Sequence, residues 1–325
     1  MILAGDVGGT HSRLALFGDE VGAVEPMGGA VYASGEFGGL VEIVERFVGE
    51  HSPTVTAACF GIAGPVVDGV CRTPNLPWEV EAAELATVLG LARVGLVNDL
   101  KASAYSIVSL GDGDLVELHR GQRDPEGNVA LISAGTGLGE AGLVRVGEGY
   151  EAMASEGGHS DFAARDDLEV ELFGYLRRTY EHVSVERVLS GPGLVNVFEF
   201  LTETGRGEVP AGLRHEISAG DAAAVIAGAG MSGRDEVCAA ALGMFVSFYG
   251  AEAGNLALKL KSTGGVYLGG GIAPKILDQL KGATFLDAFM GKGRMRGLLE
   301  AMPIHVIVND QTTLLGTAGL AREAR

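Results

Sequence analysis

The feature that most constrains this chain is a glycine turn close to residue 1. Residues 5–10 read Gly-Asp-Val-Gly-Gly-Thr, and apolar runs at residues 1–4 and 14–17 flank them. Two apolar runs around such a turn predict a β-hairpin over residues 3–17. Glycine lets a backbone approach a ligand closely, and the N–H groups of a turn can point together at an anion. Because a carboxylate such as that of Asp6 can hold hydrated Mg²⁺ beside a phosphate, the turn is typical of half of a nucleotide-phosphate site.

A second stretch of the chain repeats this arrangement. Residues 129–134 form an apolar run, residues 135–137 are Gly-Thr-Gly, and a further largely apolar run continues to residue 144. A simple hairpin explains either copy alone. Two copies, each where a new α/β half would begin, predict an internally duplicated architecture that grips phosphates with both halves.

The charge of the chain restricts its partners. Among 325 residues, 42 are Asp or Glu and 24 are Lys or Arg, which gives a net charge of −18. This excess argues against nucleic acid and anionic membranes as general partners. A bound nucleotide would therefore be held by a metal ion and local donors. The three cysteines lack CxxC spacing, so we expect buried free thiols in a reducing cytosol.

No membrane segment is expected. The longest nearly uncharged run, residues 237–251, is shorter than the ~20 residues that a membrane span requires. No basic segment precedes an apolar stretch near residue 1, so we expect no secretory leader. The sequence thus predicts a soluble, cytoplasmic protein.

Strand-like and helix-like segments alternate, which predicts a mixed central sheet with helices on its faces. In the first half we expect strands over residues 55–62 and 94–97 and helices over residues 39–48, 81–89 and 101–110. In the second half we expect a strand over residues 304–308 and helices over residues 168–180, 193–202, 221–229, 236–260 and 314–322. Candidate loops rich in glycine or charge cover residues 19–30, 111–128 and 204–217.

Asn98 and Asp99 stand between a predicted strand and a predicted helix. In open α/β sheets, ligands bind outside the carboxyl ends of the strands. Asp is also a preferred helix N-cap, so a structural role is the alternative. The two roles are compatible, because an acid at this position can also accept a hydroxyl proton.

Residues 155–161 (Ser-Glu-Gly-Gly-His-Ser-Asp) place an acid and an imidazole around two glycines. A carboxylate and a neutral imidazole offer the acceptors and donors that polyol hydroxyls need. A metal site is one alternative, although no third ligand follows at a suitable spacing, and a structural polar loop is another.

Two further motifs have both a structural and a functional interpretation. Glu186 can be a solvated or salt-bridged helix residue, and His182 can equally be structural. Residues 264–274 run from a strand into three glycines and a proline, which fits either a strand-to-helix turn or a floor for adenosine. The P-loop, the dinucleotide fingerprint and the nucleophile elbow do not occur in the sequence.

Taken together and in this order, the motifs resemble the bacterial-type glucokinases, a family of the hexokinase, actin and heat-shock-ATPase superfamily. The resemblance runs from residue 2 to residue 320 and is weak only in the three candidate loops. Its most specific parts are Glu-Gly-Gly-His at residues 156–159 and Glu-Arg-Val-Leu-Ser-Gly-Pro-Gly at residues 186–193. His11 stands where the family commonly has Asn, and residues 63–65 read Ala-Gly-Pro rather than Ala-Cys-Pro.

The resemblance implies an α/β, two-lobed, ribonuclease-H-like (actin/hexokinase-type) duplicated fold with a mixed central sheet in each lobe. It implies a small domain of residues 1–110 plus 301–325 and a large domain of residues 111–300, which close on the sugar. It further implies transfer of the γ-phosphoryl group of Mg·ATP to the 6-hydroxyl of glucose, giving glucose 6-phosphate and ADP. A homodimer is also typical of the family.

For individual residues, the resemblance implies one catalytic base and two sets of binding groups. Asp99 would be the general base on the 6-hydroxyl. The residues that bind glucose would be Asn75, Asn98, Asp99, Glu156, His159 and Glu186. The residues that bind ATP would be Gly5, Asp6, Gly8, Gly9, Thr10, Thr136, Gly137, Gly269 and Gly270. Asp6 would also orient Mg²⁺ through water.

Two rival functions stay open on the sequence. One is a kinase of the same fold for another sugar, such as mannose or an amino sugar. The other is a sugar sensor or actin-like assembly protein that uses nucleotide as a switch, which the polyol-type residues 156–159 argue against. The sequence also leaves open the phosphoryl donor (ATP, ADP or polyphosphate), the strictness for glucose and any regulation by effectors.

Overall fold

The computed structural model describes residues 1–20, 22–73 and 76–324. The chain divides into two compact units. The first comprises Met1–Asp114, Ala141–Ala154 and Asn309–Arg325, and the second comprises Leu115–Glu140 and Ser155–Val308.

Strands and helices alternate along the chain, as the sequence predicts. The strands are β1 (Ile2–Val7), β2 (His11–Phe17), β3 (Pro26–Ala33), β4 (Ala57–Ile62), β5 (Val66–Val67), β6 (Val70–Arg72), β7 (Glu79–Glu81), β8 (Gly95–Asn98), β9 (Leu115–His119), β10 (Val129–Ala134), β11 (Leu138–Val146), β12 (Gly149–Ser155), β13 (Gly265–Gly269) and β14 (Ile304–Ile307). The helices are α1 (Leu40–His51), α2 (Ala82–Leu89), α3 (Asp99–Ser106), α4 (Asp167–Leu176), α5 (Gly191–Glu203), α6 (Ala211–Ala219), α7 (Ala222–Met231), α8 (Glu236–Leu260), α9 (Leu277–Leu280), α10 (Ala283–Met290), α11 (Arg296–Glu300) and α12 (Thr312–Glu323).

The main sheet of the first unit has the strand order β3-β2-β1-β4-β8. β1 and β2 are antiparallel and pair Val7 with Ser12, which confirms the predicted hairpin. β4 and β8 run parallel to β1, and their register places Val7 beside Ile62 and Ile62 beside Asn98. The carboxyl ends of three parallel strands therefore meet at one edge, next to the glycine turn.

Both faces of this sheet are covered, because alternate residues of a strand point to opposite sides. Leu3 of β1 packs in the cluster that contains the buried apolar stripe of α1. Its neighbours Ile2 and Ala4 pack instead with the apolar side of α12. Because the side chains of β1 alternate between its two faces, one helix packs on each face of the sheet. This packing holds the edge of the sheet in position.

A second sheet has the strand order β12-β11-β10-β13-β14-β9. β10, β13 and β14 run parallel, and β9 is antiparallel to β14. In both sheets, three strands that are consecutive along the chain lie side by side, namely β1–β3 and β10–β12. Two further strands then run parallel to the earliest of the three, which is β1 or β10. This shared order is the arrangement expected of the predicted duplicated α/β fold with mixed sheets.

Helix α8 has the bounds predicted from the sequence and forms the centre of the second unit's core. The nearly uncharged run of residues 237–251 is part of this longer helix. By length and composition alone, the helix could cross a membrane. However, 72% of its most apolar window is buried inside the structure, as is typical of a core helix. The fully buried Tyr249 on α8 donates a hydrogen bond to the Gly269 carbonyl at 3.2 Å. The helix therefore fixes the end of β13.

Several predicted elements are confirmed and some are wrong. The helices predicted over residues 39–48 and 81–89 correspond to α1 and α2, and the three cysteines are free and buried as expected. The candidate loops are wrong in part, because they contain the start of β3, all of β9 and most of α6. In α6 only Leu213 is buried, so this helix carries almost no apolar periodicity. β9 pairs at the edge of its sheet with half-buried residues on both faces, which weakens the alternation typical of a strand.

Candidate functional site

The turn between β1 and β2 is held by hydrogen bonds within the first unit. The Gly8 N–H donates to the His11 carbonyl at 3.0 Å, and the Ser34 N–H donates to the Thr10 carbonyl at 3.0 Å. The Ser34 hydroxyl donates to the Gly8 carbonyl at 2.8 Å and lies 3.0 Å from the hydroxyl of Ser12. Both serines are fully buried, so two neutral hydroxyls support the turn from the protein interior. The sequence analysis did not identify either serine.

In this turn, Gly5 has an additional steric reason to be glycine, and a side chain on Gly8 would make a tight contact. A Cβ atom on Gly5 would lie 2.2 Å from a ring carbon of Phe60, so β1 and β4 can pack this closely only without a side chain. A Cβ atom on Gly8 would lie 3.1 Å from the His11 carbonyl oxygen. The phosphate contacts of Gly5, Gly8, Gly9 and Thr10 stay predictions.

Asp6 lies at the end of β1 in a strongly acidic setting. Burial raises the pKa of its carboxyl to about 6, Arg13 lowers that pKa, and the charges of Asp99 and Asp310 raise it. A cation would relieve this accumulation of negative charge, and carboxylate oxygens are the donors that Mg²⁺ prefers. Within residues 1–20, 22–73 and 76–324, no group of three or more His, Cys, Asp and Glu side chains is arranged to hold a metal ion. The Asp6 carboxylate fits a hydrated ion bound beside a phosphate.

Asn98 and Asp99 stand where β8 ends and α3 begins. Asn98, rather than Asp99, is the N-cap of α3, because its Oδ1 accepts from the N–H groups of Leu100 at 3.0 Å and Lys101 at 3.1 Å. The amide of Asn98 also donates to the Gly64 carbonyl at 3.2 Å. Asp99 is half-buried, and its Oδ1 accepts from the Leu100 N–H at 2.8 Å. The cap thus fixes the direction in which the Asp99 carboxylate is presented at the sheet edge.

The second glycine turn, between β10 and β11, is held by a carboxylate. The Gly135 N–H donates to the Gly137 carbonyl at 2.8 Å. Glu186 accepts from the Leu138 N–H at 2.9 Å through Oε2, and a Cβ atom on Gly137 would lie 2.7 Å from that oxygen. Glu186 therefore lies directly against the turn, and Gly137 leaves the space that it occupies.

Three of the predicted glucose-binding side chains meet beside this turn. His159 Nδ1 lies 3.9 Å from Glu186 Oε1, and His159 Nε2 lies 4.0 Å from Glu156 Oε2. The imidazole therefore stands between two carboxylates. Glu156 is 73% exposed and His159 is 59% exposed, whereas Glu186 is 21% exposed. The cluster is open to a ligand and can both accept and donate hydrogen bonds to hydroxyl groups.

Backbone hydrogen bonds bring these three residues together. The Val185 N–H donates to the Ser160 carbonyl and the Phe162 N–H donates to the Val183 carbonyl, both at 3.0 Å. This pairing joins the single 3-10 turn Gly157–His159 to the single 3-10 turn Val185–Arg187. His182 Nε2 lies 2.9 Å from Asp161 Oδ1 at the outer end of the same pairing. That contact fits the structural interpretation of His182.

A large cavity adjoins the second turn within the second unit. Its volume is about 910 Å³, and its lining includes Gly135, Thr136 and Gly271. Helices α5 and α7 contribute Asn196, Glu199 and Asp221, which the sequence analysis did not identify. The volume falls in the ~300–1,000 Å³ range of small-molecule sites, so the cavity can accept a nucleoside-sized group.

The glycines after β13 shape the approach to this cavity. Gly270 has a φ of +80°, and a Cβ atom there would lie 2.4 Å from the Ala134 carbonyl oxygen. It must therefore be glycine for two reasons. The next residue, Gly271, lines the cavity, whereas adenosine contacts of Gly269 and Gly270 stay predictions. Asn75, the remaining predicted glucose contact, lies outside the described residues.

Strands β1 and β10 thus each lead into a glycine turn, and the second turn adjoins a cluster of two carboxylates and an imidazole as well as a nucleoside-sized cavity. This combination defines a sugar kinase of the actin/hexokinase type. The family model for Glucokinase matches residues 3–324. The Glucokinase of Nostoc sp. is 42% identical over 98% of this chain and 98% of its own length. The chain belongs to the glucokinase family, whose members are ATP-dependent hexose kinases.

Solved structures agree with this assignment. A glucokinase from an Antarctic psychrotroph superposes with a TM-score of 0.86 at 30% identity, covering 99% of this chain and 98% of that one. A ROK family glucokinase from Streptomyces griseus, solved with glucose and AMPPNP, has a TM-score of 0.64 at 20% identity. It covers 99% of both chains and is similar in fold.

Proposed function

We propose that this chain transfers the γ-phosphoryl group of Mg·ATP to the 6-hydroxyl of glucose. The observation that carries the proposal is the convergence of Glu156, His159 and Glu186 beside the turn Gly135–Gly137. A group that recognises sugar hydroxyls thereby adjoins a group that can face phosphate. The glucokinase relatives described above support glucose as the hexose.

On the sugar side, the three clustered residues would bind hydroxyl groups of glucose, together with Asn75 and Asn98. Carboxylates accept hydrogen bonds, and neutral imidazole accepts one and donates one, so the set can satisfy both functions of each hydroxyl. These contacts are made in the ground state and in the transition state alike. They therefore determine KM for glucose more than kcat.

Asp99 would accept the proton in the transfer step. The 6-hydroxyl oxygen forms a bond to the γ-phosphorus, the bond between that phosphorus and the bridging oxygen of ADP breaks, and the hydroxyl proton passes to the Asp99 carboxylate. The hydrogen bond between Asp99 Oδ1 and the Leu100 N–H supports this role, because it orients the carboxylate without neutralising it. Asp99 is in the first unit and Glu156 is in the second, so the reaction requires both.

On the nucleotide side, Gly5, Gly8, Gly9 and Thr10 from one turn and Thr136 and Gly137 from the other would bind phosphates. The cavity lined by Thr136 and Gly271 would accept the nucleoside. Mg²⁺ bound with ATP neutralises charge on the transferred group, and Asp6 would hold it through water. Gly269 and Gly270 would shape the adenosine floor.

Three wider features belong to the same proposal. The functional domains would be residues 1–110 plus 301–325 and residues 111–300. The protein would act in the cytoplasm, which fits the burial of α8 and the net charge of −18. It would form a homodimer, as the family resemblance suggests.

The test is a coupled assay of sugar phosphorylation with Mg·ATP for glucose, mannose, fructose and N-acetylglucosamine. Glucose should give the highest kcat/KM. Asp99→Asn should lower kcat by about 10²–10⁴-fold, the usual contribution of a general base, with the Kd for glucose nearly unchanged. Asp112→Asn, an exposed substitution of the same kind in the same unit, is the matched control.

Near-normal turnover of Asp99→Asn would remove Asp99 as the base and leave the kinase assignment intact. Faster turnover of another sugar would change the substrate. No turnover of any sugar, with ATP still bound, would contradict the proposal as a whole.

A further inference from the structure

A pair of buried carboxyl groups lies behind the sugar-binding cluster. Glu140 on β11 is 1% exposed and Glu252 on α8 is 5% exposed. Neither residue belongs to the proposed site, and neither was identified from the sequence. Two acidic side chains buried together are costly unless a proton or a counter-ion compensates them.

Glu140 lies directly against the backbone that carries two of the glucose-binding residues. A Cβ atom on Gly157 would lie 1.9 Å from Glu140 Oε2, so the carboxyl occupies the space that a side chain would need. At the next residue, Gly158, a Cβ atom would lie 2.1 Å from the Leu138 carbonyl oxygen. The segment between Glu156 and His159 therefore rests on the first residues of β11.

Hydrogen bonds within the Ser155–His159 segment set its local shape. The Gly157 N–H donates to the Ser155 hydroxyl at 2.9 Å, and the His159 N–H donates to the Glu156 carbonyl at 3.0 Å. Both hydrogen bonds are local to the segment. Because the Glu140 carboxyl lies against Gly157, a movement of this carboxyl would displace the backbone that positions Glu156 and His159.

The surroundings of Glu140 favour its neutral form. In the described part of the chain, Oε1 of Glu140 and Oε1 of Glu252 are buried without a hydrogen-bond partner. The other carboxylate oxygen of Glu252 accepts from Asn255 at 2.8 Å, and Lys259 Nζ lies 3.5 Å from Glu252 Oε1. Burial, followed by the charge of Glu252, raises the pKa of Glu140 to about 8, while Lys259 lowers it.

Other charged groups surround the pair. Arg165, which bonds Glu169, and Lys292 lie near Glu252, and burial together with Arg165 lowers the pKa of Lys292. The acids Glu156 and Glu186 and the imidazole of His159 form the cluster next to Gly157. Lys259 forms an ion pair with Glu252, and a proton on the Glu140–Glu252 pair compensates the second carboxyl.

We propose that Glu140 is a positioning residue for glucose: its neutral carboxyl shares a proton with Glu252 and supports Gly157, so that loss of this proton weakens glucose binding. The inference rests on the proposed function in assigning glucose to Glu156 and His159. It identifies a pH-dependent determinant of substrate affinity that does not touch the sugar.

The sign of the effect follows from the raised pKa. Below about pH 8 the pair holds its proton and the segment is supported. Above that pH two negative charges face each other in a buried place, and the segment is pushed away. KM for glucose should then rise by about tenfold for each pH unit above the midpoint, while kcat at saturating glucose and KM for ATP stay nearly constant.

The same linkage affects stability. Because the pKa of Glu140 is raised in the folded state, its contribution to stability is fully present below the pKa of an exposed Glu, about 4.3. That contribution is lost as the pH rises to the folded-state value of about 8. A purely structural role would produce this stability change without the rise in KM.

The decisive variant is Glu140→Gln, whose neutral amide keeps the size of the side chain and can donate to Glu252. KM for glucose is measured from about pH 6.5 to about pH 9.5, around the midpoint, for the unmodified protein and the variant. We expect the rise in the unmodified protein and a flat profile at its neutral-pH value in Glu140→Gln. Glu300→Gln removes a charge from an exposed pair with Arg296 and serves as the control, with an unchanged profile.

Glu252→Gln provides a second variant. Without the negative neighbour, Glu140 should lose its proton at lower pH, so the rise in KM should begin earlier. A rise that persists in Glu140→Gln, or a flat profile in the unmodified protein, would overturn the proposal.

Amide hydrogen exchange separates this proposal from the proposed function. The peptide that contains Ser155–His159 should exchange faster in the unmodified protein than in Glu140→Gln above pH 8, and at equal rates below pH 7. This comparison needs no catalytic activity. Equal exchange rates at every pH would contradict the positioning role of Glu140, even if the protein is an active kinase. If the expected difference in exchange occurs but the protein has no glucokinase activity, only the proposed function is overturned.

Discussion

The two glycine turns have similar backbones but different supports. Ser12 and Ser34, both neutral and fully buried, brace the turn of the first unit from below. The charged carboxylate of Glu186 braces the turn of the second unit and also faces the imidazole of His159. A similar turn is therefore a self-contained element in one unit and adjoins the cluster of Glu156, His159 and Glu186 in the other.

This difference separates the expected roles of the turns. In the first unit, the neutral support leaves the negative charge of Asp6 as the main electrostatic feature, which suits a cation and phosphate. In the second unit, one side chain touches both the turn and the sugar cluster. Substitutions at the first turn should therefore affect ATP alone, whereas those at the second should affect ATP and glucose together.

The largest effect in this comparison is expected for Glu186→Ala. The change removes the acceptor of the Leu138 N–H and one of the two acids beside His159. A hydrogen bond to a charged group contributes about 1.5–3 kcal/mol, so kcat/KM for glucose should fall by about 10–10²-fold, and KM for ATP should also rise. Steady-state kinetics with each substrate varied in turn measure both effects.

Glu156→Ala is the matched variant for this measurement, because Glu156 contacts His159 in the cluster but not the turn. It should raise KM for glucose and leave KM for ATP unchanged. If Glu186→Ala and Glu156→Ala gave the same pattern, the distinction between the two turns would be lost.

A smaller effect is expected for Ser34→Ala in the first unit. The change removes the donor to the Gly8 carbonyl and leaves the buried hydroxyl of Ser12 with one partner fewer. An unsatisfied buried polar group costs about 1–3 kcal/mol, so the free energy of unfolding should fall by that amount in urea denaturation. KM for ATP should rise several-fold, and KM for glucose should not change.

The control for this variant is Ser218→Ala, which removes an exposed hydroxyl that bonds only a neighbouring carbonyl. It should leave stability and both KM values as they are. A rise in KM for glucose in Ser34→Ala would show that the first turn is not independent of the sugar.

The smallest effect is expected for His182→Ala. Its contact with Asp161 is mostly exposed, with 57% of the His182 side chain and 93% of the Asp161 side chain accessible. Exposed ion pairs contribute about 0–1 kcal/mol, so thermal unfolding and both KM values should change little. A large loss of kcat would contradict the structural interpretation of His182.

The sequence predicts the parts of the site that depend on local chemistry. Each of three motifs allows a structural interpretation alone, and only their combination and order along the chain indicate a site: the turn glycines, the Asn98-Asp99 pair and residues 156–159. By contrast, α8 can be predicted alone, because its long apolar sequence leaves few alternatives. Local pattern and family resemblance therefore agree here.

Other parts of the site depend on contacts between residues far apart in the chain. The buried serines that brace the first turn and the contact of Glu140 with Gly157 arise only when the chain is folded. Helix α3 begins at Asp99, two residues before the predicted start, so Asn98 and not Asp99 is its N-cap. The cavity is formed by side chains from α5 and α7, which no short motif combines.

Helix α8 contacts two neighbouring strands of the second sheet through one side chain. The hydroxyl of Tyr249 lies 3.4 Å from the Ile132 carbonyl in β10 and 3.2 Å from the Gly269 carbonyl in β13. The glycine turn and the approach to the cavity begin directly beyond these two strand ends. The two regions that are expected to hold opposite ends of the nucleotide therefore share this anchor in addition to the pairing of β10 with β13, so the fold itself sets the distance between them.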